Sequence, residues 1–425
     1  MARVSRMAEN LVGSEIIKLA GEIKQRIAEG QQIHNFTIGD FDSSIFPIPQ
    51  ELEDAIIQAI RDGHTNYPAS NGMAGLRAAV ADFIKDRQGL DYDKDDYLIA
   101  GGARPLIHAV YQALVDPNDN VVFPVPSWNN NHYTHMAHAN KVMIETTPES
   151  NFMPTGDQLK EHLKEARLVA LCSPLNPTGT VFSYEQLKDI CDLVIEINEE
   201  RGADNPLYVL YDQIYWTLCY GETKHVDPVS IDPRMRDYTI YIDGLSKGFA
   251  ATGVRVGWAF GPTKIIAKMK SILGHIGAWS PKAEQMATEE FLRNTSAVDS
   301  YLTKIRQGLS SRLEGFYNGF QELKREGYPI DAIHPQGALY LTVKFDLRGV
   351  TQKDGSVISS TRDISGFLLN EVGLAVVPFY AFGASEDSVW FRLSVGTATM
   401  ESIDDVCASL KRAIDALPAK NEQNA

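Results

Sequence analysis

From residue 96 onward the chain alternates short apolar runs with helical segments, and this alternation restricts the fold more than any other feature of the sequence. The runs cover 97–100, 121–123, 142–144, 168–171, 208–211, 239–242 and 254–260. Strands joined through helices lie parallel, and a parallel sheet is covered by helices on both faces, so its strands read as unbroken apolar stretches. The step from 242 to 254 is too short for a crossover helix, so the last two runs are expected to pair antiparallel or lie side by side. Ser183 with Gln186 three residues on is a capping box, which supports a helix over 184–198. The expected fold class is α/β, with a mostly parallel seven-stranded sheet flanked by helices.

The flanking regions have a different character. A helical pattern over 14–29 and an extended segment over 31–38 lead to Gly39 and Asp40. Amphipathic helices follow, through Leu52, Ala55, Ile56, Ala59 and Ile60, and then through Leu76, Val80, Phe83 and Ile84. A polar loop over 64–72 between them carries Tyr67. Beyond residue 280 come a long helix with Leu302, Ile305, Leu309, Leu313, Phe316, Phe320 and Leu323 on one stripe, runs near 338–345, 375–377 and 389–395, and a last helix through Val406, Leu410 and Ile414. The chain divides into an arm that completes the small domain (1–45), a large domain (46–285) and a smaller α+β domain (286–425), with disorder expected over 420–425. A formal charge of −15 argues against nucleic acid or an anionic membrane as partner. Four cysteines without Cys-x-x-Cys spacing, a polar start and no run of the ~20 apolar residues that span a bilayer together fit a cytoplasmic protein.

In a doubly wound sheet ligands gather at the carboxyl ends of the strands, so the residues just after each apolar run are the candidates. The first run enters Gly101, Gly102, Ala103, Arg104 and Pro105, with Pro105 in the first turn of a helix. Small residues there build either a phosphate cradle at a helix N-terminus or an ordinary strand-to-helix turn, and the segment lacks the Gly-x-Gly-x-x-Gly spacing of dinucleotide sites. Trp128 after the second run is placed to lie flat against a ring ligand or to pack. Pro174 and Pro177 fix the backbone around Asn176, as a preorganised hydrogen-bond donor or a simple turn requires. Asp212 closes a buried run with Tyr215 three residues on, and an acid there needs a partner, either a helix N-cap or a cationic ligand.

Lys247 follows the 239–242 run in a small polar segment. An amine shielded from water loses part of its preference for charge, and the neutral amine is what attacks a carbonyl; the alternative is an ordinary lysine on a surface turn. Arg255 in the returning run comes back near it. Arg392 alternates with Val389, Phe391, Leu393 and Val395, so it faces away from them, toward solvent or toward a carboxylate. His132, His135 and His138 recur in steps of three, which drift around a helix, and no metal site is expected.

Asn176, Asp212 and Lys247 stand 36 and 35 residues apart, with Arg255 eight beyond the lysine. In this joint pattern the chain resembles the pyridoxal-phosphate-dependent aminotransferases of the aspartate aminotransferase superfamily, which are fold type I enzymes. The likeness runs from the Gly39 segment to Arg392. It implies pyridoxal 5′-phosphate bound as a Schiff base to Lys247, with Asp212 on the pyridine nitrogen, Tyr215 and Asn176 on the ring hydroxyl and Trp128 stacked on the ring. Gly102, Ala103, Ser246 and Arg255 would hold the phosphate, joined by Tyr67 of a partner subunit, which implies a homodimer with a shared active site. Arg392 would bind the substrate α-carboxylate, with Gly39 and Asn176 beside it.

Arg104 stands where many relatives carry a small polar residue or lysine. Reaching past the cofactor it would read a distal carboxylate, implying aspartate or glutamate as substrate; a contact with phosphate or solvent is the alternative. The implied partners are a small-molecule amino acid and a 2-oxo acid. A lyase or decarboxylase on the same scaffold, or an aminotransferase for aromatic or aliphatic amino acids, competes with this reading. A ligand-sensing module of a transcription regulator fits less well, since no basic helix-turn-helix precedes the domain, and a dehydrogenase lacks its fingerprint.

Overall fold

The computed structural model of the protein describes residues 3–418 apart from positions 12 and 14, so the expectation for 420–425 lies outside the described residues. Helix Glu15–Ala28 leads into the short strand β1 (His34–Asn35). The large sheet is built from β2 (Tyr97–Ala100), β3 (Asn120–Val125), β4 (Asn140–Glu145), β5 (Ala166–Cys172), β6 (Tyr208–Asp212), β7 (Thr239–Gly244) and β8 (Gly257–Phe260). These seven strands lie in the order β2-β8-β7-β6-β5-β3-β4, and only the pairings of β8 are antiparallel. The short link after β7 is the reason: without a crossover helix, β8 must run back against its predecessor.

Alternate residues of the central strands enter two separate cores. In β6, Leu210 packs with Ile240, Val110 and Ile266 under helices Ala103–Leu114 and Thr263–Ile276. Val209 and Tyr211 face the other way, toward Leu187 and Val194 of helix Tyr184–Arg201. That two-sided burial is what makes β7 and β8 buried at every position, whereas edge strand β4 is largely exposed and carries Lys141 and Glu145. The capping box of helix Tyr184–Arg201 forms in full: Gln186 N–H donates to Ser183 Oγ and Ser183 N–H to Gln186 Oε1, each at 3.1 Å.

A second, antiparallel sheet has the order β12-β13-β10-β9, from β9 (Ile330–Ala332), β10 (Tyr340–Phe345), β12 (Val377–Pro378) and β13 (Trp390–Ser394). Between them in sequence, β11 (Leu374–Ala375) pairs in parallel with β1, which ties the arm to residues some 340 positions later. The long helix Thr295–Arg325 buries the stripe from Leu302 to Leu323 as its periodicity requires. Among the described residues no helix is long and apolar enough to cross a membrane.

The structure revises several element boundaries. The run over 254–260 is a strand only from Gly257, because Arg255 has φ of 61° and turns its guanidinium back to the Gly101 carbonyl. The run near 375–377 is split between two sheets, and the one at 338–345 begins at Tyr340, after Ala338 with φ of 59°.

Glycines let these segments meet. A Cβ on Gly257 would lie 2.6 Å from the carbonyl carbon of Gly102, a backbone atom that has no rotamer in which to escape. Gly257→Ala is therefore expected to cost about 1–3 kcal/mol, as overpacking does, whereas Gly253→Ala, with nothing within 4 Å, is expected to be near neutral. Urea denaturation of the two variants checks this.

Candidate active site

The carboxyl ends of β5, β6 and β7 and the N-terminus of helix Ala103–Leu114 open into one cavity of about 540 Å³, walled on its far side by β10 and β13. Eleven of the candidate residues line it: Gly39, Ala103, Arg104, Trp128, Asn176, Asp212, Tyr215, Ser246, Lys247, Arg255 and Arg392.

Lys247 lies in the single helical turn Leu245–Gly248 that follows β7. Close approaches hold the turn: a Cβ on Gly244 would be 2.8 Å from the Cα of Gly257, and one on Gly248 would overlap the Thr217 hydroxyl. Lys247 Nζ donates to the Gly39 carbonyl at 2.6 Å. Burial brings its pKa down to about 8; Asp40 opposes the shift, while Arg392, Arg104 and Arg255 add to it. An amine with a sizeable neutral fraction near neutral pH is thus built into the end of β7.

Asp212 ends β6, and the chain then turns so that Ile214 N–H donates to Asp212 Oδ1 at 3.1 Å and Tyr215 swings back over the cavity. Burial raises the Asp212 carboxyl from its ordinary 3.8 to about 6, opposed by the Ile214 N–H and by Lys247. Among the described residues the acid has no ion-pair partner within 4 Å, which suits it to a ligand bearing a protonated nitrogen.

At the opposite wall Arg392 is 1% exposed. Its Nη1 donates to Asn176 Oδ1 at 3.0 Å and its Nη2 to the Thr37 carbonyl at 2.6 Å, while its Nε has no partner among the described residues. The guanidinium is sandwiched between the rings of Tyr340 at 4.7 Å and Phe382 at 4.9 Å. A buried cation whose partners are neutral is a receptor for an anion, and a carboxylate matches its fork. Since Asn176 spends its oxygen on Arg392, only its NH2 group is left to donate into the cavity.

The third pole is at Ala103. Helix Ala103–Leu114 has no side-chain cap on its first N–H groups, and Gly102, with φ of 94°, leaves room that a Cβ would take from the Arg255 guanidinium. Arg255 is fixed there by donating to the carbonyls of Thr252 at 2.8 Å and Gly101 at 2.7 Å, with buried Ser246 nearby on the cavity wall. Arg104, one turn position further, is exposed and holds its guanidinium 5.3 Å over the Trp128 ring.

Two candidates lie outside the cavity lining. Gly102 packs against Arg255, and Tyr67 is 82% exposed, in edge-to-face contact with Trp279 at 5.2 Å. Asp40, Tyr340, Cys172 and Ile16 are among the lining residues missed from sequence. Asp40 directly follows Gly39 and accepts from the Thr252 hydroxyl at 2.7 Å; its position beside a candidate glycine was the available signal. Tyr340, Cys172 and Ile16 line the wall as well, and no local pattern marks them. Burial pushes the Cys172 thiol up, so it is inert as a nucleophile.

A family model for class I and II aminotransferases matches residues 31–410. The chain is 29% identical to an aspartate aminotransferase of Bacillus sp. (strain YM-2) over 93% of its own length and 95% of that protein. Among solved structures, the aspartate aminotransferase from Rhizobium meliloti superposes with a TM-score of 0.90 at 25% identity, over 98% of this chain and all of that one. An aspartate aminotransferase from Thermus thermophilus with maleate gives 0.85 at 25% identity, over 97% of this chain and all of that one.

The raised pKa of Asp212 has a consequence for the ligand-free protein. The folded state holds this proton more tightly than the unfolded chain, so the ionisation penalty is absent below pH 3.8, grows with pH and is complete above about 6. It amounts to roughly 2–3 kcal/mol. Asp212→Asn is expected to raise the thermal midpoint of the ligand-free protein by a few degrees at pH 8, with the gain fading toward pH 4; calorimetry at the two pH values measures it.

Proposed function

The chain belongs to the class I and II aminotransferases, and we propose that it moves the amino group of a dicarboxylic amino acid, aspartate or glutamate, to a 2-oxo acid with pyridoxal 5′-phosphate held in the cavity. The observation that carries this reading is the convergence on one cavity of a shielded amine, a shielded acid and a buried guanidinium with only neutral partners. The donor set fits the cofactor. The uncapped helix start at Ala103, the space kept by Gly102 and the Arg255 and Ser246 side chains suit a phosphate, Asp212 suits a pyridinium nitrogen, and Lys247 is the amine that would hold the cofactor covalently. Tyr215 and the Asn176 NH2 group would donate to the ring oxygen, and Trp128 would cover the ring. When bound, the cofactor supplies an electron sink for the pair left at the substrate Cα.

The chain's own residues do the rest. Arg392 takes the α-carboxylate, with Gly39 and the Asn176 NH2 group beside it, and so fixes the direction of the Cα–H bond. Lys247 Nζ then lifts the Cα proton and returns it, and a pKa near 8 places its neutral form within reach of working pH. Ile16 of the arm adds an apolar side chain to the cavity wall. Arg104 reads the distal carboxylate from its place over Trp128, a reading supported by the aspartate aminotransferase names of the relatives and by the maleate of the Thermus thermophilus structure. Tyr67 is exposed and outside the lining of its own cavity, so a phosphate contact would come from a second copy of the chain, and the active unit is a homodimer.

Three measurements test the reading. Lys247→Ala is expected to remain folded and to lose multiple turnovers with aspartate and 2-oxoglutarate, and turnover at the wild-type rate would refute it. In single-turnover spectra aspartate should leave the aminated cofactor, a result that a lyase or decarboxylase does not give. Arg104→Ala is expected to lower kcat/KM for aspartate by about 10- to 100-fold, the loss of one charge-assisted contact, with much less effect on alanine. Equal losses for both would place Arg104 on the phosphate instead.

A further inference from the structure

Tyr340 opens β10 and is 1% exposed. Its hydroxyl lies 2.7 Å from that of Tyr215, and the two rings meet edge to face at 5.6 Å and 72°. The face of the same ring supports the Arg392 guanidinium, and a Cβ on Gly39 would sit 2.8 Å from the Tyr340 hydroxyl. The start of β10 is fixed by backbone, since Gly179 of the Asn176 loop comes so close to the Tyr340 carbonyl that a Cβ there would overlap it. Tyr340 therefore stands between the side chain assigned to the cofactor's ring oxygen and the one assigned to the substrate carboxylate.

A hydrogen bond between two hydroxyls uses one proton. If Tyr215 donates to Tyr340, its only proton is committed, and toward a ligand it can only accept. If Tyr340 donates, the Tyr215 proton stays free for the ligand. An ionised ring oxygen is an acceptor, so the second arrangement is the one that serves it. We propose that Tyr340 is a positioning residue: its hydroxyl donates to Tyr215 and so commits the Tyr215 proton to the bound cofactor, while its ring supports Arg392 beneath the substrate carboxylate. The inference rests on the reading that the cavity holds pyridoxal phosphate, and it assigns the hydrogen-bond direction that this reading leaves open.

The two parts separate by substitution, because Tyr340→Phe removes the hydroxyl and keeps the ring, whereas Tyr340→Leu removes both. The test is the visible absorption of the bound cofactor titrated with pH in the holoenzyme, for wild type, Tyr340→Phe, Tyr215→Phe and the double variant. Donation by Tyr215 favours the deprotonated chromophore, and the bond accepted from Tyr340 polarises the Tyr215 O–H and holds it in line, so Tyr340→Phe is expected to move the titration up by about half a unit, less than Tyr215→Phe does. The double variant should titrate with Tyr215→Phe alone, since Tyr340 acts through Tyr215. Tyr340→Phe should leave the dissociation constant of maleate within about twofold of wild type while lowering kcat, and Tyr340→Leu should weaken maleate binding about tenfold or more.

An unshifted Tyr340→Phe titration, or a double variant whose shift is the sum of the two, overturns the hydroxyl's role. Unchanged maleate binding in Tyr340→Leu overturns the ring's. Failure of the underlying reading has another signature, a wild-type protein that takes up no pyridoxal phosphate chromophore at all.

Discussion

Arg392 carries its charge into the buried wall of the cavity, where it meets the Thr37 carbonyl, the Asn176 amide oxygen and the faces of Tyr340 and Phe382. Burying an unpaired ion costs several kcal/mol even after relaxation. Hydrogen bonds to a charged group return about 1.5–3 kcal/mol each, and a desolvated cation over a ring about 2. These contributions hold the guanidinium in place without neutralising it, and the remaining deficit is what an anion relieves. Its supports come from three parts of the chain: Thr37 from the arm, Asn176 from the loop after β5, and Tyr340 and Phe382 from the region of the small sheet. One buried charge thus sets the relative placement of the segments around it.

The opposite end of the cavity is organised by space. Gly102, Gly244 and Gly257 sit where backbone passes backbone or a guanidinium, and the Lys247 turn, β8 and the start of helix Ala103–Leu114 converge only because these positions lack a Cβ. The shifted pKa values of Lys247 and Asp212 arise from that convergence, since burial is the first cause of each. Strand ends, close approaches and altered proton affinities are successive results of one packing solution.

The strands and most of the site were legible in the sequence for a local reason. A buried parallel strand must be apolar throughout, and the chain must turn at its end, so Asp212, Lys247 and the Gly101–Gly102 turn are marked by their own neighbours. The Arg255 turn was hidden because its φ of 61° answers to Gly101, 154 residues away, and the run around it reads as plain strand. For Arg392, alternation established which side of β13 it faces but left solvent and carboxylate equally open. Only the register of β13 between β10 and β12, with Thr342 and Val377 opposite Arg392, turns that face inward. Tyr340 was invisible because its partner hydroxyl on Tyr215 comes from the turn after β6, 125 residues earlier.

The hydrogen bond from Arg392 to Thr37 spans 355 residues. At the ~5–20 residues per second of protein synthesis, the arm has existed for tens of seconds before the residue that fixes it is made. The large sheet, complete at Phe260, can form its strands in that interval, but a nascent chain short of β13 has neither the guanidinium nor the wall behind it. The anion receptor is therefore the last part of the cavity to exist.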